Sequence, residues 1–262
     1  MTSVVGSAFK DVQSTWKMRR VWLALATEDI SDEHKRTTLG PIWLLVNYVA
    51  FVGTFCFVVF DARSNSEYVS YVAVGLFVWF YISDNINNAV GLFVREEGFI
   101  KGTPLPISLY VMRQFMQSCI RSFYSLLGCI IILLLGGTSA DYTWFLSLLS
   151  LFLILLVTPP IILIFAFLGA FIPDAKFLIQ NAMRIGMFLT PVFWSYENSG
   201  GLRHYLYWWN PFTYFLEIVR DPIIEGYIHS FDFMVCVSLG IFAWLLGVYL
   251  LGKLKKEVVF VL

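Results

Sequence analysis

From Thr143 to Ile172 the chain carries no charged side chain, and that run decides the solvent for which the fold is built. About 20 predominantly apolar residues suffice to cross roughly 30 Å of hydrocarbon. A backbone inside lipid must satisfy its own hydrogen bonds, which favours helices. The run therefore reads as a membrane-spanning helix, overlong, with Pro159-Pro160 predicting a kink or break inside it.

The rest of the sequence follows suit. Hydrophobic residues make up 58% and charged residues 14%, against about 25% charged in soluble domains, and mean hydropathy is +0.74. Hydropathy and turn punctuation predict an all-α membrane protein with six spans: 42–60, 68–94, 109–135, 143–172, 177–194 and 232–252. Residues 1–41 form a separate head, and 42–262 form the membrane domain. Within the latter, 195–231 is too aromatic for an ordinary loop and too interrupted for a span, so short interfacial or re-entrant helices are expected there.

Orientation follows from lysine and arginine, which are retained on the cytoplasmic side. Lys10, Lys17, Arg19, Arg20, Lys35 and Arg36 in the head fall on one side, with Arg95, Lys101, Arg113, Arg121, Lys176, Arg184, Lys253, Lys255 and Lys256. Only Arg63, Arg203 and Arg220 fall on the other. Both termini are thus expected in the cytoplasm and 195–231 outside. The head has no apolar stretch of the kind a cleavable signal requires. Its Phe9, Val12, Trp16 and Leu23 recur near helical spacing among Lys10, Lys17 and Arg20, the pattern of an amphipathic helix lying in the membrane surface.

Several function classes drop out. A formal net charge of zero without a basic face argues against nucleic acid. Cys56, Cys119, Cys129 and Cys236 lie in apolar segments without CxxC spacing, and His34, His204 and His229 are scattered, so no metal site is expected. Gly247 to Lys253 fits GxxxxGK, but Leu254 follows where a Ser or Thr is needed and the glycines sit in an apolar helix end. ATP, if used, is bound by another polypeptide. Asp61, Glu67, Glu197, Asp221 and Glu225 face outward with no spacing that specifies a shared catalytic site.

More informative is the second span, where Phe77, Tyr81, Asp84 and Asn88 share one helical face, flanked by Asn85 and Asn87. Polar groups at membrane depth either line a pathway or join neighbouring helices, and spacing leaves both readings open. Phe177, Asn181, Arg184 and Phe188 form a similar stripe in the fifth span, with Arg184 a candidate counter-ion for Asp84. Tyr48, Phe51 and Phe55 offer flat apolar faces suited either to core packing or to sugar rings. Between the second and third spans, Arg95 to Ile107 is the largest charged connection, a short helical piece stopped by Pro104 and Pro106.

Taken in order, these pieces resemble the membrane subunit of ABC type-two exporters, most closely permeases that export O-antigen or capsular polysaccharide. The resemblance covers nearly the whole chain. It rests on Thr38-Leu-Gly-Pro-Ile-Trp-Leu-Leu-Val-Asn47, Gly75-Leu-Phe-Val-Trp79, Phe99-Ile-Lys101, Pro104-Leu-Pro106, Leu189-Thr-Pro-Val-Phe193 and Asn210-Pro-Phe-Thr-Tyr-Phe-Leu-Glu-Ile-Val-Arg220. Gly102 stands where a second basic residue is common. The resemblance implies a homodimer in the bacterial inner membrane with two soluble ATPase subunits, which would bind the ATP and magnesium, so that this chain needs no cofactor of its own. It implies ATPase docking on Arg95, Glu96, Glu97, Phe99 and Lys101, and a path past Tyr48, Phe51, Phe55, Phe77, Tyr81, Asp84, Asn88, Arg184 and Phe188. It implies a cytoplasmic gate at Trp16, Arg19, Arg20 and Arg36, where arginines would meet the pyrophosphate of a lipid-linked glycan. Tyr205, Trp208, Trp209, Phe212 and Tyr214 would form the outer gate. A teichoic-acid or small-molecule exporter of the same architecture, and an integral-membrane transferase, are the alternative readings.

Overall fold

The computed structural model describes residues 4–59, 66–138, 141–196 and 200–262, and every regular element among them is helical. Residue 60 of the first expected span, Asp61, Arg63 and Glu197 lie outside the described residues.

The head is two helices, α1 (Val4–Lys17) and α2 (Arg19–His34), separated at Met18. Phe9, Val12 and Trp16 of α1 are exposed, while Asp11 and Thr15 turn inward. The apolar stripe thus faces outward, and the polar side of α1 is what docks. Asp11 supplies a cap from a distance: its Oδ1 accepts from the Ser108 backbone N–H at 3.0 Å and from Ser108 Oγ at 2.6 Å. Ser108 lies in the first turn of the long helix α7 (Ile107–Leu135), and a carboxylate at a helix N-terminus meets unpaired donors and the positive end of the dipole. Lys255 ties the same place to the end of the chain, 3.7 Å from Asp11 and donating to the Ser7 carbonyl at 2.8 Å.

The membrane domain runs α3 (Ile42–Val59), α4 (Ser66–Ala89), two short helices α5 (Leu92–Arg95) and α6 (Glu97–Gly102), then α7 (Ile107–Leu135), α8 (Trp144–Phe171) and α9 (Ala175–Leu189). A hairpin of α10 (Leu202–Trp209) and α11 (Pro211–Ile224) leads to α12 (Ser230–Leu254) and a terminal turn α13 (Val258–Val261). Among the described residues, four helices are long and apolar enough to cross a membrane: α4, α7, α8 and α12. The hairpin occupies the segment expected to hold short helices.

Two expected boundaries move. The second span ends at Ala89 rather than 94, because the chain breaks at Val90-Gly91 before α5. There the Val90 carbonyl presses on Gly169 of α8 so closely that a Cβ at residue 169 would collide with it. The fifth helix stops at Leu189, before Thr190-Pro191, since proline disfavours helical backbone in the residue before it.

The proline pair does not break α8, which runs unbroken through Pro159 and Pro160. Proline at 160 removes the N–H that would bond the Leu156 carbonyl. Trp244 of α12 fills that vacancy, donating from Nε1 to the Leu156 oxygen at 3.0 Å. Neighbouring helices commonly satisfy such freed groups in membranes. The contact is possible because α12 presents Gly240 to Val157 and Gly247 to Pro160, where added Cβ atoms would sit 2.7 Å and 3.2 Å from those side chains. Gly247, the first glycine of the phosphate-loop look-alike, thus has a packing role.

At the centre stands α4. Its Val72 to Trp79 are buried against α8, α11 and the turn after α9. A second apolar cluster, built on Phe93, Tyr110, Phe167 and Leu251, packs α5 and the start of α7 against the ends of α8 and α12.

Candidate functional site

On the face of α4 singled out by spacing, Asn88 Nδ2 donates to Asp84 Oδ1 at 2.7 Å, and Tyr81 donates to Thr158 Oγ1 at 2.8 Å. The cation beside Asp84 is Arg121 of α7, with Nη1 3.6 Å from Oδ2. Arg184, the expected counter-ion, stands exposed on α9 instead. Helix α7 lies against α4 along much of its length, and that places Arg121 within reach. Phe77, Tyr81, Asp84 and Arg121 line a pocket of about 190 Å³ together with Leu44, Phe80, Ser118, Ser122 and Ser125. This is an amphipathic cleft, with aromatic walls on α4 and a ladder of hydroxyls and one cation on α7. Such a surface sets hydrogen-bonding groups beside the apolar faces of its rings.

Not every expected path residue joins it. Tyr48 is 3% exposed and donates to the Ala73 carbonyl at 2.6 Å, so it fastens α3 to α4. Phe55 stacks on Phe193 at 4.1 Å. Phe51 remains exposed, edge-on to Phe80 at 5.2 Å, and Phe188 is exposed on α9.

Arg121 also reaches α2, where Nη2 donates to Glu33 Oε2 at 3.3 Å. Two helical turns earlier on α7 and one turn earlier on α2 the pattern repeats more tightly. Arg113 donates to Asp29 from Nε at 2.6 Å and from Nη2 at 2.8 Å, and Gln117 donates to the same carboxylate. So Arg113, Gln117 and Arg121, spaced by four on α7, face Asp29 and Glu33, spaced by four on α2. Burial pushes the Asp29 carboxyl up, but the hydrogen bond and charge of Arg113, with help from Gln117 and Arg95, outweigh it and hold the group below its usual 3.8. Sequence reasoning missed this interface. The matched spacing was its only signal.

Arg113 has a third bond, from Nη1 to Glu96 Oε2 at 2.9 Å. Glu96 precedes α6 and is 8% exposed. Glu96, expected from sequence among the docking contacts, is thus turned into the fold and held by Arg113. Arg95 likewise turns back, donating to Gln114 Oε1 at 2.9 Å. The outward surface of α6 is Phe99, 61% exposed, beside Glu97 and Lys101, which pair with each other at 2.7 Å. Through Glu96, Arg113 and Asp29, α6 is joined to α7 and α2 by charge-assisted hydrogen bonds, the strong kind. In the head, Trp16, Arg19, Arg20 and Arg36 are exposed.

At the opposite end of α4 the α10–α11 hairpin is locked in place. Asn210 caps α11, accepting from the Phe212 N–H at 3.0 Å, with Pro211 as the first helical residue. Its amide donates to Thr190 Oγ1 at 2.7 Å. Arg220, 1% exposed, donates two hydrogen bonds to the Glu217 carboxylate and one to the Pro191 carbonyl at 2.8 Å, and lies 3.5 Å over the Tyr71 ring. Gly75 leaves the room this needs, since a Cβ there would sit 3.4 Å from Arg220 Nη1. Of the aromatic residues expected at the outer side, Tyr205, Trp208 and Trp209 are exposed. Phe212 packs on Trp79 at 5.6 Å, and Tyr214 is buried, donating to the Trp208 carbonyl at 2.7 Å.

Comparison with known proteins gives a consistent match. The model of the ABC-2 type transporter family matches residues 21–224. The O-antigen export system permease protein RfbA of Klebsiella pneumoniae is 19% identical over 237 residues, covering 89% of this chain and 91% of that protein. The polysialic acid transport protein KpsM of Escherichia coli is 22% identical over 212 residues, covering 78% of this chain and 81% of that protein.

Proposed function

This chain belongs to the ABC-2 type transporter family, and from that membership we propose that it is the channel-forming subunit of an ATP-driven exporter of a lipid-linked surface polysaccharide, O-antigen. Two copies pair in the inner membrane, and each docks one soluble ATPase subunit. Helices α3 and α9 complete six spans: at 1.5 Å per residue their 18 and 15 residues reach about 27 Å and 22 Å, the second by local thinning of the bilayer. An even number of spans keeps both termini on one side of the membrane, and the excess of lysine and arginine near them favours the cytoplasmic side.

The observation that carries this reading is the Glu96–Arg113–Asp29 linkage. It gives the exposed helix α6 a mechanical connection to α2 and α7, so a push on Phe99 is delivered to the head and to the helix bearing Arg121. Movement of α7 against α4 then widens the cleft at Asp84 and Arg121, and sugars advance past its rings and hydroxyls. The arginines of the head meet the pyrophosphate of the lipid carrier at the cytoplasmic side. The similarity to KpsM favours a capsular polysaccharide as the second cargo class.

The test is export itself. Deleting this gene in its host should leave undecorated glycan on the cytoplasmic face and none at the surface, and restoring it should return the glycan. Surface glycan that persists without the chain refutes export, and loss of glycan synthesis instead of export supports an integral-membrane transferase.

A further inference from the structure

The turn α13 is held in place from two sides. Lys255, just ahead of it, donates to the Ser7 carbonyl of α1 at 2.8 Å, and Val258, its first residue, is fully buried in the apolar cluster that also takes Phe93 of α5 and Ile100 of α6. So anchored, α13 packs against α6 and α8. Its outward side is nonetheless apolar, with Phe260 89% exposed and Val261 half exposed. Beside it Val94 of α5 and Phe99 of α6 are exposed as well. Four large apolar side chains thus stand uncovered on three short elements that share one buried cluster.

Contiguous exposed apolar groups mark a protein or a membrane contact, and a groove of about 550 Å³ beside them decides between the two. Val94 and Val261 line it together with Asn88, Arg95, Lys176 and Gln180. Cations and amides grouped in this way belong in water and are costly among acyl chains, which leaves protein as the cover. Its identity follows from size. A stable interface takes about 20–30 residues a side, whereas α6 has six and a single large apolar side chain turned outward. An ATPase that docks on α6 must therefore extend beyond it, and α13 is the neighbour with apolar side chains to spare. We propose that α13 is a second docking element for the soluble ATPase subunit, which covers Phe260 and Val261 together with Phe99 and Val94. This rests on the exporter reading above and enlarges its docking site. Since α13 follows the end of α12 by only a few residues, the ATPase then acts on α12 as well as on α7.

The experiment puts the photo-crosslinking residue p-benzoylphenylalanine in place of Phe260, Phe99 or Phe242, one at a time, in the full chain expressed with its neighbouring genes. Phe242 is an exposed residue of the membrane-crossing helix α12 and serves as the control. Irradiation should join positions 260 and 99, but not 242, to the same ATPase, identified by mass spectrometry of its peptides. Phe260→Glu should weaken ATPase binding about tenfold, the loss of one interface anchor, and Phe260→Leu should recover most of it. Neither variant should shift the melting temperature, because so exposed a side chain supports little of the fold. Capture of the ATPase from position 99 alone, with full binding by Phe260→Glu, overturns the second docking element and leaves the exporter reading standing. Capture of lipid, or of a second copy of this chain, from position 260 overturns it likewise. If no ATPase is captured at either position and none purifies with the wild-type chain, the exporter reading fails and this inference with it.

Discussion

Arg113 holds Asp29 with two hydrogen bonds, of 2.6 Å and 2.8 Å, and by this contact the head is fastened to the membrane domain. The same guanidinium holds Glu96 at the start of α6. Arg113→Lys keeps the charge and loses the planar fork. Export should fall at least about tenfold in this variant while the ATPase still co-purifies, because α6 remains on the surface. Normal export at normal expression would remove the linkage from the mechanism.

The Asp29 carboxyl titrates below its usual 3.8. A lowered native pKa means the pair stabilises the fold above the unfolded value, and that contribution disappears as pH drops through the native one. Unfolding of wild type and Asp29→Asn in detergent should therefore differ by a constant amount between about pH 5 and pH 8. The gap, about 1–3 kcal/mol for hydrogen bonds to a charged group, should close only below about pH 4. A gap that closes near neutrality contradicts the assignment.

Phe99 and Glu96 separate docking from anchoring. Phe99→Ala should weaken ATPase binding by about 1–3 kcal/mol, as expected for truncating an aromatic anchor, with no loss of thermal stability. Glu96→Gln should do the reverse. Affinity capture of the ATPase alongside a melting curve reads both, and a loss of binding with Glu96→Gln alone would reverse the roles.

Arg220 and Glu217 are buried together, and breaking such a pair costs about 3–5 kcal/mol because one charge is left stranded. Arg220→Met should lower stability by that amount. Adding Glu217→Gln should recover part of it, since neither charge is then stranded. Strict additivity of the two losses would show that they do not act as a pair.

Trp244→Phe keeps the ring and removes the donor to the Leu156 carbonyl. The orphaned oxygen should cost about 1–3 kcal/mol, seen as a lower unfolding temperature, and Pro160→Ala in the same chain should restore it by returning the backbone donor. If Trp244→Phe is silent, α8 satisfies its own proline gap.

The helices were legible wherever a single segment decided the outcome. The uncharged run at 143–172 became α8, and the aromatic stretch 195–231 became the capped hairpin that Asn210-Pro211 encodes. Errors arose where a second helix supplied the missing half. Pro159-Pro160 was expected to kink or break the helix, whereas α8 runs through it and Trp244, far along the chain, donates to one of the carbonyls that the pair leaves free. The stripe of Phe77, Tyr81, Asp84 and Asn88 was visible, but its cation was misplaced on Arg184 because pairing depends on which helix lies alongside α4. Glu96 looked like a surface charge because nothing local reveals that Arg113 waits beneath it. Asp29 and Glu33 against Arg113 and Arg121 show that matched charges at one spacing on two helices deserve pairing before either set is assigned to solvent.

The most direct measurement is the intact mass of the complex purified in mild detergent after expression of this chain with its neighbouring genes. Two copies of the chain with two copies of a soluble ATPase are predicted, dissociating when Phe99 is replaced. A chain that purifies alone or only with itself, with no ATPase bound at any salt concentration, would contradict the exporter assignment.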